Sequence, residues 1–170
     1  MKRIGLGGGC HWCTEAVFQS IKGVSGVEQG FIAPGNDPDA FSEAVIVHYN
    51  EDLISLKDLI EIHLFTHKST AAHSMRNKYR SAIYTFDTAS HKESKSIWNM
   101  LQREFTNPLL TEVCSFGAFK PSDSRFHEYY YRNPEKPFCD THIAPKLKLL
   151  LDKFSALVDT KMPSTLHGST

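Results

Sequence analysis

Ile4-Gly5-Leu6-Gly7-Gly8-Gly9-Cys10-His11-Trp12-Cys13-Thr14-Glu15 holds a strand, a turn and the start of a helix in one short run. Ile4 and Leu6 alternate with Arg3 and Gly5 as a short strand does. Val17, Phe18 and Ile21 then recur at helical spacing. The glycines between make the turn, because glycine tolerates backbone angles closed to other residues and lets neighbours approach closely. Cys10 therefore stands at or just before the first helical residue. Unpaired N–H groups and the positive end of the helix dipole favour a thiolate there. A cysteine so placed is a candidate nucleophile; a buried, inert thiol is the competing use.

Two other readings of the same run are weaker. Gly5-x-Gly7 with Cys10 in the third glycine position is a poor dinucleotide fingerprint. Cys10-x-x-Cys13 has the spacing of a redox pair or half a zinc site, and Cys139-x-x-His142 could complete a tetrahedron. Cys139 and His142 have no second compact ligand set around them, so no metal is expected.

Composition bounds the rest. The 170 residues, 41% hydrophobic, suffice for one well-buried core and are short for two domains. Residues 1–157 read as that domain and 158–170 as a loose tail. The 19 basic residues balance the 19 acidic ones, which leaves no basic field for nucleic acid. No run reaches the roughly 18 apolar residues of a membrane span, and the strand at the N-terminus leaves no room for a signal peptide. Four cysteines in a chain this size are not a disulfide scaffold and fit a cytosolic catalytic or metal-binding use. The expectation is a cytoplasmic monomer.

Outward from the opening run, the spacing predicts a helix over 12–22 with Gly23 as C-cap. A strand over 24–31 contains Gly26 and Gly30, and residues 32–39, with Pro34, Gly35 and Pro38, form a loop. Residues 41–49 are the clearest strand, with Val45, Ile46 and Val47 at its centre. Ser55 and Asp58 cap a helix whose apolar face carries Leu56, Leu59, Ile60, His63 and Leu64. The polar connection over 66–78, with His67, His73, Met75 and Arg76, is long enough to be functional. A strand over 79–86, a helix from Asp87 or Thr88 to Phe105, and a strand over 111–116 carrying Cys114 follow. An aromatic-rich helix at 122–131 and a last helix with Leu147, Leu150, Leu151 and Phe154 at core spacing complete the chain. Alternating strands and helices with mostly short links give an α+β or α/β fold, one sheet with helices packed on it.

Several segments together resemble one family, the A-type peptide methionine sulfoxide reductases. Gly9-Cys10-His11-Trp12-x-x-Glu15 is similar to its Gly-Cys-Phe-Trp-x-x-Glu signature, and Ser42-Glu43-Ala44-Val45 to its His-Ala-Glu-Ala-Val segment. Lys78-Tyr79-Arg80-Ser81-Ala82-Ile83-Tyr84 resembles its Gln-Tyr-Arg-Ser-Ala-Ile-Tyr strand, and Thr111-Glu112-Val113, Tyr129, Asn133-Pro134 and Cys139 follow its C-terminal order. The resemblance implies a two-layer α/β sandwich of ferredoxin-like kind with a mixed sheet, and reduction of the S epimer of methionine sulfoxide, free or in peptides. There are departures. His11 replaces a phenylalanine of the family's methyl cage, and Ser74 an aspartate. A loop tyrosine is missing, with Phe41 nearby, and Asp123-Ser124-Arg125-Phe126-His127 displaces the histidine of a Glu-x-x-His-Gln run.

A sulfoxide oxygen leaves only when protonated, so the reaction needs a thiolate, an acid and an apolar hollow for a methyl group. The resemblance makes Cys10 the thiolate and Glu43 the acid. Glu43 must then be desolvated, since a solvated glutamate with a pKa of about 4.3 is ionised at neutral pH. Tyr79 orients the sulfoxide oxygen, and Trp12 with His11 cages the methyl group. Glu15 is structural. The Cys10 sulfenic acid is resolved by Cys139, with Cys13 as the rival. No cofactor is bound, and the electrons come from thioredoxin or another dithiol.

Overall fold

The computed structural model describes residues 1–71, 79–123 and 144–159. Cys139, His142, Ser74 and most of the helix expected at 122–131 lie outside the described residues. The strongest strand signal, Val45-Ile46-Val47, belongs to β3 (Ser42–Tyr49). Successive strand side chains point to opposite faces. Val45 and Val47 accordingly join the core beneath the helices, whereas Ala44 and Ile46 join a second cluster with Ile32, Ala82 and Tyr84. All of these are buried, which explains the unbroken apolar run.

Around β3 the chain lays down β1 (Lys2–Gly7), α1 (His11–Gln19), β2 (Val24–Pro34), α2 (Leu56–Thr66), β4 (Ala82–Thr85), α3 (Thr88–Leu101), β5 (Glu112–Pro121) and α4 (Ala144–Phe154). β1 pairs antiparallel with β3 on one side and β4 on the other, β3 with β2, and β2 with β5; β4 and β5 run parallel. The α3 crossover supplies the length a parallel pair needs. The mixed sheet with helices packed on it is as expected, but an open ferredoxin-like sandwich is not what forms. β5 bridges the outer edges of β2 and β4, and the five strands close into a barrel in the order β1-β3-β2-β5-β4.

Small residues make that closure possible. A Cβ on Gly117 would lie 2.6 Å from the Pro34 oxygen, where the β2–β5 register slips between Ala33 and Pro34. A Cβ on Gly30 would collide with the Lys120 oxygen across the same pair. Inside, a Cβ on Gly5 would sit 2.8 Å from the Tyr84 Cβ. Gly5, Ala44 and Ala82 leave the narrow interior to Tyr84 and the isoleucines. Gly117 thus marks a bulge, and β5 runs on to Pro121 where the sequence predicts an end at 116.

Other boundaries move for local reasons. α1 stops at Gln19, three residues early, because Ile21 bridges Val158 and the Lys22 N–H donates to the Leu157 oxygen at 2.8 Å. Val158, expected at the start of a loose tail, is buried in that bridge. β4 starts at Ala82 because the Arg80 N–H donates to Ser42 Oγ at 2.6 Å and its guanidinium spans the Ala40 oxygen and the Tyr84 hydroxyl. The caps are as expected: Ser55 Oγ accepts from the Asp58 N–H at 3.1 Å, and Asp87 from the Ser90 N–H at 2.7 Å.

Candidate active site

Register brings the site together. Gly7, the last residue of β1, pairs with Ala44, so the glycine turn leaves the sheet beside the start of β3. Glu43 shares the face of Val45 and Val47, the face that α1 covers. Cys10 at the mouth of α1 and Glu43 at the mouth of β3 therefore converge.

Cys10 is the N-cap of α1, half-buried; its carbonyl accepts the N–H groups of Cys13 at 3.1 Å and Thr14 at 3.2 Å. Its thiol lies below the ordinary cysteine range, chiefly through the hydrogen bond from the Cys13 thiol and further through the Trp12 and Cys13 N–H groups, against burial and the Glu43 charge. The turn before it is held from α2. His63 Nε2 donates to the Gly7 oxygen at 2.7 Å, and burial pushes this histidine down to about 4, so it is neutral. His67 packs over Gly8, where a Cβ would lie 2.5 Å from the imidazole. His67 Nδ1 donates to the His63 oxygen, since a carbonyl only accepts, and its Nε2 is hydrogen-bonded to Ser81 Oγ, which in turn bonds Thr111 Oγ1. From α4, Lys146 donates to the Thr66 oxygen at 2.7 Å; burial lowers its ammonium, opposed by the Cys13 and Cys10 sulfurs.

Glu43 is buried at 5% exposure. Its Oε1 accepts the His11 backbone N–H at 3.2 Å and lies 3.4 Å from His11 Nε2. The His11 Nδ1 lies 2.8 Å from the Gly30 oxygen, so the ring spans β2 and β3. Its centroid is 5.2 Å from that of Phe31, edge to face, and 6.3 Å from that of Trp12. Phe31 is directly opposite Glu43 in the β2–β3 ladder. His11 and Phe31 thus lie beside the carboxyl, with Trp12 next to His11.

Tyr79 is half-buried, and the adjoining Arg80–Ser42 bond ties its main chain to the residue before Glu43. Cys13 is buried under Cys10. Cys114 lies in β5, half-buried against the barrel cluster, with its thiol raised mainly by burial. Glu15, expected to be structural, does not complement the dipole at the surface. It is buried and accepts from Gln29 Nε2 at 3.0 Å, while Gln29 Oε1 accepts from Ser122 Oγ at 2.7 Å. No group of three or more metal-ligating side chains clusters among the described residues, and the Cys139–His142 half of the zinc alternative lies outside them.

Sequence reasoning missed Phe31 and Lys146, and it named His67 only as part of a functional connection, without its contact to the glycine turn. Phe31 alone had a signal, since a hairpin joining the strands at 24–31 and 41–49 places it near Glu43. His67 and Lys146 come from distant segments and carry no local pattern.

A family model described as peptide methionine sulfoxide reductase matches residues 2–157. Proteins named peptide methionine sulfoxide reductase MsrA from Psychrobacter arcticus and Trichodesmium erythraeum are 34% and 33% identical to this chain. They cover 91% and 88% of it and 97% and 93% of their own lengths. The crystal structure of Mxr1 from Saccharomyces cerevisiae in reduced form aligns with a TM-score of 0.71 at 25% identity, over 83% of this chain and 90% of that one. Mxr1 in complex with Trx2 aligns with a TM-score of 0.60 at 23% identity, over 75% and 84%, a likeness of fold.

Proposed function

The chain belongs to the A-type peptide methionine sulfoxide reductases, and from that membership we propose how its own residues carry the reaction. It is an oxidoreductase, a peptide-methionine (S)-S-oxide reductase. The observation that carries the mechanism is the meeting of a depressed thiol at the mouth of α1 with a buried carboxyl at the mouth of β3, joined through the His11 N–H.

In this reading the Cys10 thiolate attacks and Glu43 gives a proton to the sulfoxide oxygen. The substrate S–O bond breaks, methionine leaves, and the protonated oxygen remains on Cys10 as a sulfenic acid. The substrate sulfur gains the two electrons that the cysteine sulfur loses. The methyl group rests against Trp12, His11 and Phe31, and Tyr79 orients the oxygen. A second thiol condenses with the sulfenic acid, forming a disulfide and releasing water, and a dithiol reduces that disulfide. Thioredoxin is the proposed dithiol, a choice supported by the yeast Mxr1–Trx2 complex. The work so done is repair of oxidised methionine.

Cys139 remains the proposed resolving thiol on the resemblance. The Cys13–Cys10 hydrogen bond favours the second reading, in which Cys13 resolves. Cys139→Ser is expected to keep turnover with dithiothreitol and lose it with thioredoxin; unchanged thioredoxin turnover moves the role to Cys13. The function itself is tested by incubating the protein and dithiothreitol with each epimer of a methionine sulfoxide derivative. Only the S epimer should be consumed, and equal consumption of both, or of neither, counts against the reading.

A further inference from the structure

One basic side chain stands beside the candidate site without belonging to it. Residues directly opposite one another on paired strands share a face of the sheet. Phe31 is the partner of Glu43 in the β2–β3 ladder and of Lys120 in the β2–β5 ladder. Glu43, Phe31 and Lys120 therefore form one row across three strands, on the face where Phe31 meets the His11 ring. Neighbouring strands lie about 4.8 Å apart, so the Lys120 main chain is about 10 Å from that of Glu43.

The lysine stem closes part of that distance. Lys120 Nζ lies 4.2 Å from the centroid of the Phe41 ring. Phe41 comes two residues before Glu43, about 7 Å along an extended chain. The side chain thus crosses β2 and carries its ammonium toward the mouth of β3. An ammonium over an aromatic face is attracted by the ring quadrupole, so Phe41 holds a long and otherwise flexible side chain in place. Lys120 is exposed, and no carboxylate lies in ion-pair range of it among the described residues. Two other cations around the site are already engaged: the Arg80 guanidinium with the Ala40 oxygen and the Tyr84 hydroxyl, and Lys146 with the Thr66 oxygen.

We propose that Lys120 is a substrate-selecting residue that attracts a carboxylate carried close to the oxidised methionine. The inference rests on reading the sulfoxide as bound beside Cys10, Glu43 and Phe31. The methionine side chain is short, so a carboxylate at the main chain of that residue, or on the residue next to it, comes within reach of a cation at the end of this row. The α-carboxylate of free methionine sulfoxide and an acidic neighbour in a peptide offer the same chemistry. Lys120 touches no reacting atom. Its contribution is a solvent-screened attraction, which is modest in strength, together with a local excess of acidic over neutral substrate.

The test compares kcat/KM of the full chain with dithiothreitol for the S epimers of three substrates. N-acetylmethionine sulfoxide carries an α-carboxylate, its methylamide carries none, and N-acetylaspartyl-methionine sulfoxide methylamide carries a carboxylate on the neighbouring residue. The wild type should favour at least one of the acidic substrates over the neutral one by about threefold to fivefold, chiefly through KM, and added salt should shrink the difference. Which acidic substrate gains tells an α-carboxylate from an acidic neighbour. Lys120→Gln should erase the preference and Lys120→Glu should reverse it. A wild type with no preference, or a loss in the variants shared equally by all three substrates, would overturn the proposal. A wild type that consumes none of the three would overturn the functional reading itself, and the proposal with it.

Discussion

Cys10 needs two kinds of support, donors at its sulfur and a rigid turn beneath its main chain. The helix mouth and Cys13 supply the first, and His63 and His67 the second. Cys10→Ser should abolish turnover even with dithiothreitol, since a serine hydroxyl is not ionised at neutral pH; a rate near wild type would place the nucleophile elsewhere. Glu43→Gln keeps shape and polarity and removes the carboxyl proposed as the acid. Turnover should fall by about 10²-fold or more while iodoacetamide still alkylates Cys10. A fall of less than about threefold would take the acid role from Glu43. Both residues are legible in the sequence, because a strand–glycine–cysteine–helix run and a strand-opening glutamate have local signatures. Phe31 and the two histidines are not legible in the same way. Their roles come from a ladder register and a turn of α2, which set contacts between residues far apart in the chain.

At the scale of elements, what the sequence leaves open is how the sheet ends. Alternation and apolar runs mark β1, β3 and α2 well, because each buries a regular face. β5 is harder to read. Its burial is partial along most of its length, and Gly117 looks like a terminator when it is in fact the close-approach point against Pro34. Barrel closure follows from that contact and has no sequence pattern of its own. Gly117→Ala should then cost about 1–3 kcal/mol through forced repacking of β2 against β5. Urea unfolding would show this as a lower midpoint at unchanged slope. An unaltered midpoint would mean that the two strands are not held as tightly as their geometry requires.

Across the whole molecule, Cys10, near the N-terminus, is buttressed by segments that arrive late in the chain. α4 covers α1 and α2 with Leu147 and Leu150 fully buried, and Lys146 reaches the Thr66 oxygen. α2 grips β1 through a histidine that is neutral when folded, and this makes global stability sensitive to acid. His63 is pushed down to about 4 from an ordinary 6.5 by burial, outweighing its bond to Gly7. The unfolded chain therefore takes up this proton first as pH falls. The contribution is complete above pH 6.5, shrinks from there, and is lost by about pH 4. A shift of that size corresponds to about 3 kcal/mol. His63→Gln retains an N–H for the Gly7 oxygen and cannot titrate, so it separates the hydrogen bond from the proton uptake. The wild-type urea midpoint should fall steeply between pH 6.5 and 4, and the variant, somewhat weaker at neutral pH, should fall less over the same interval. Parallel curves would show that His63 titrates alike in the folded and unfolded chain, and would loosen the link drawn here between α2 and the cysteine turn.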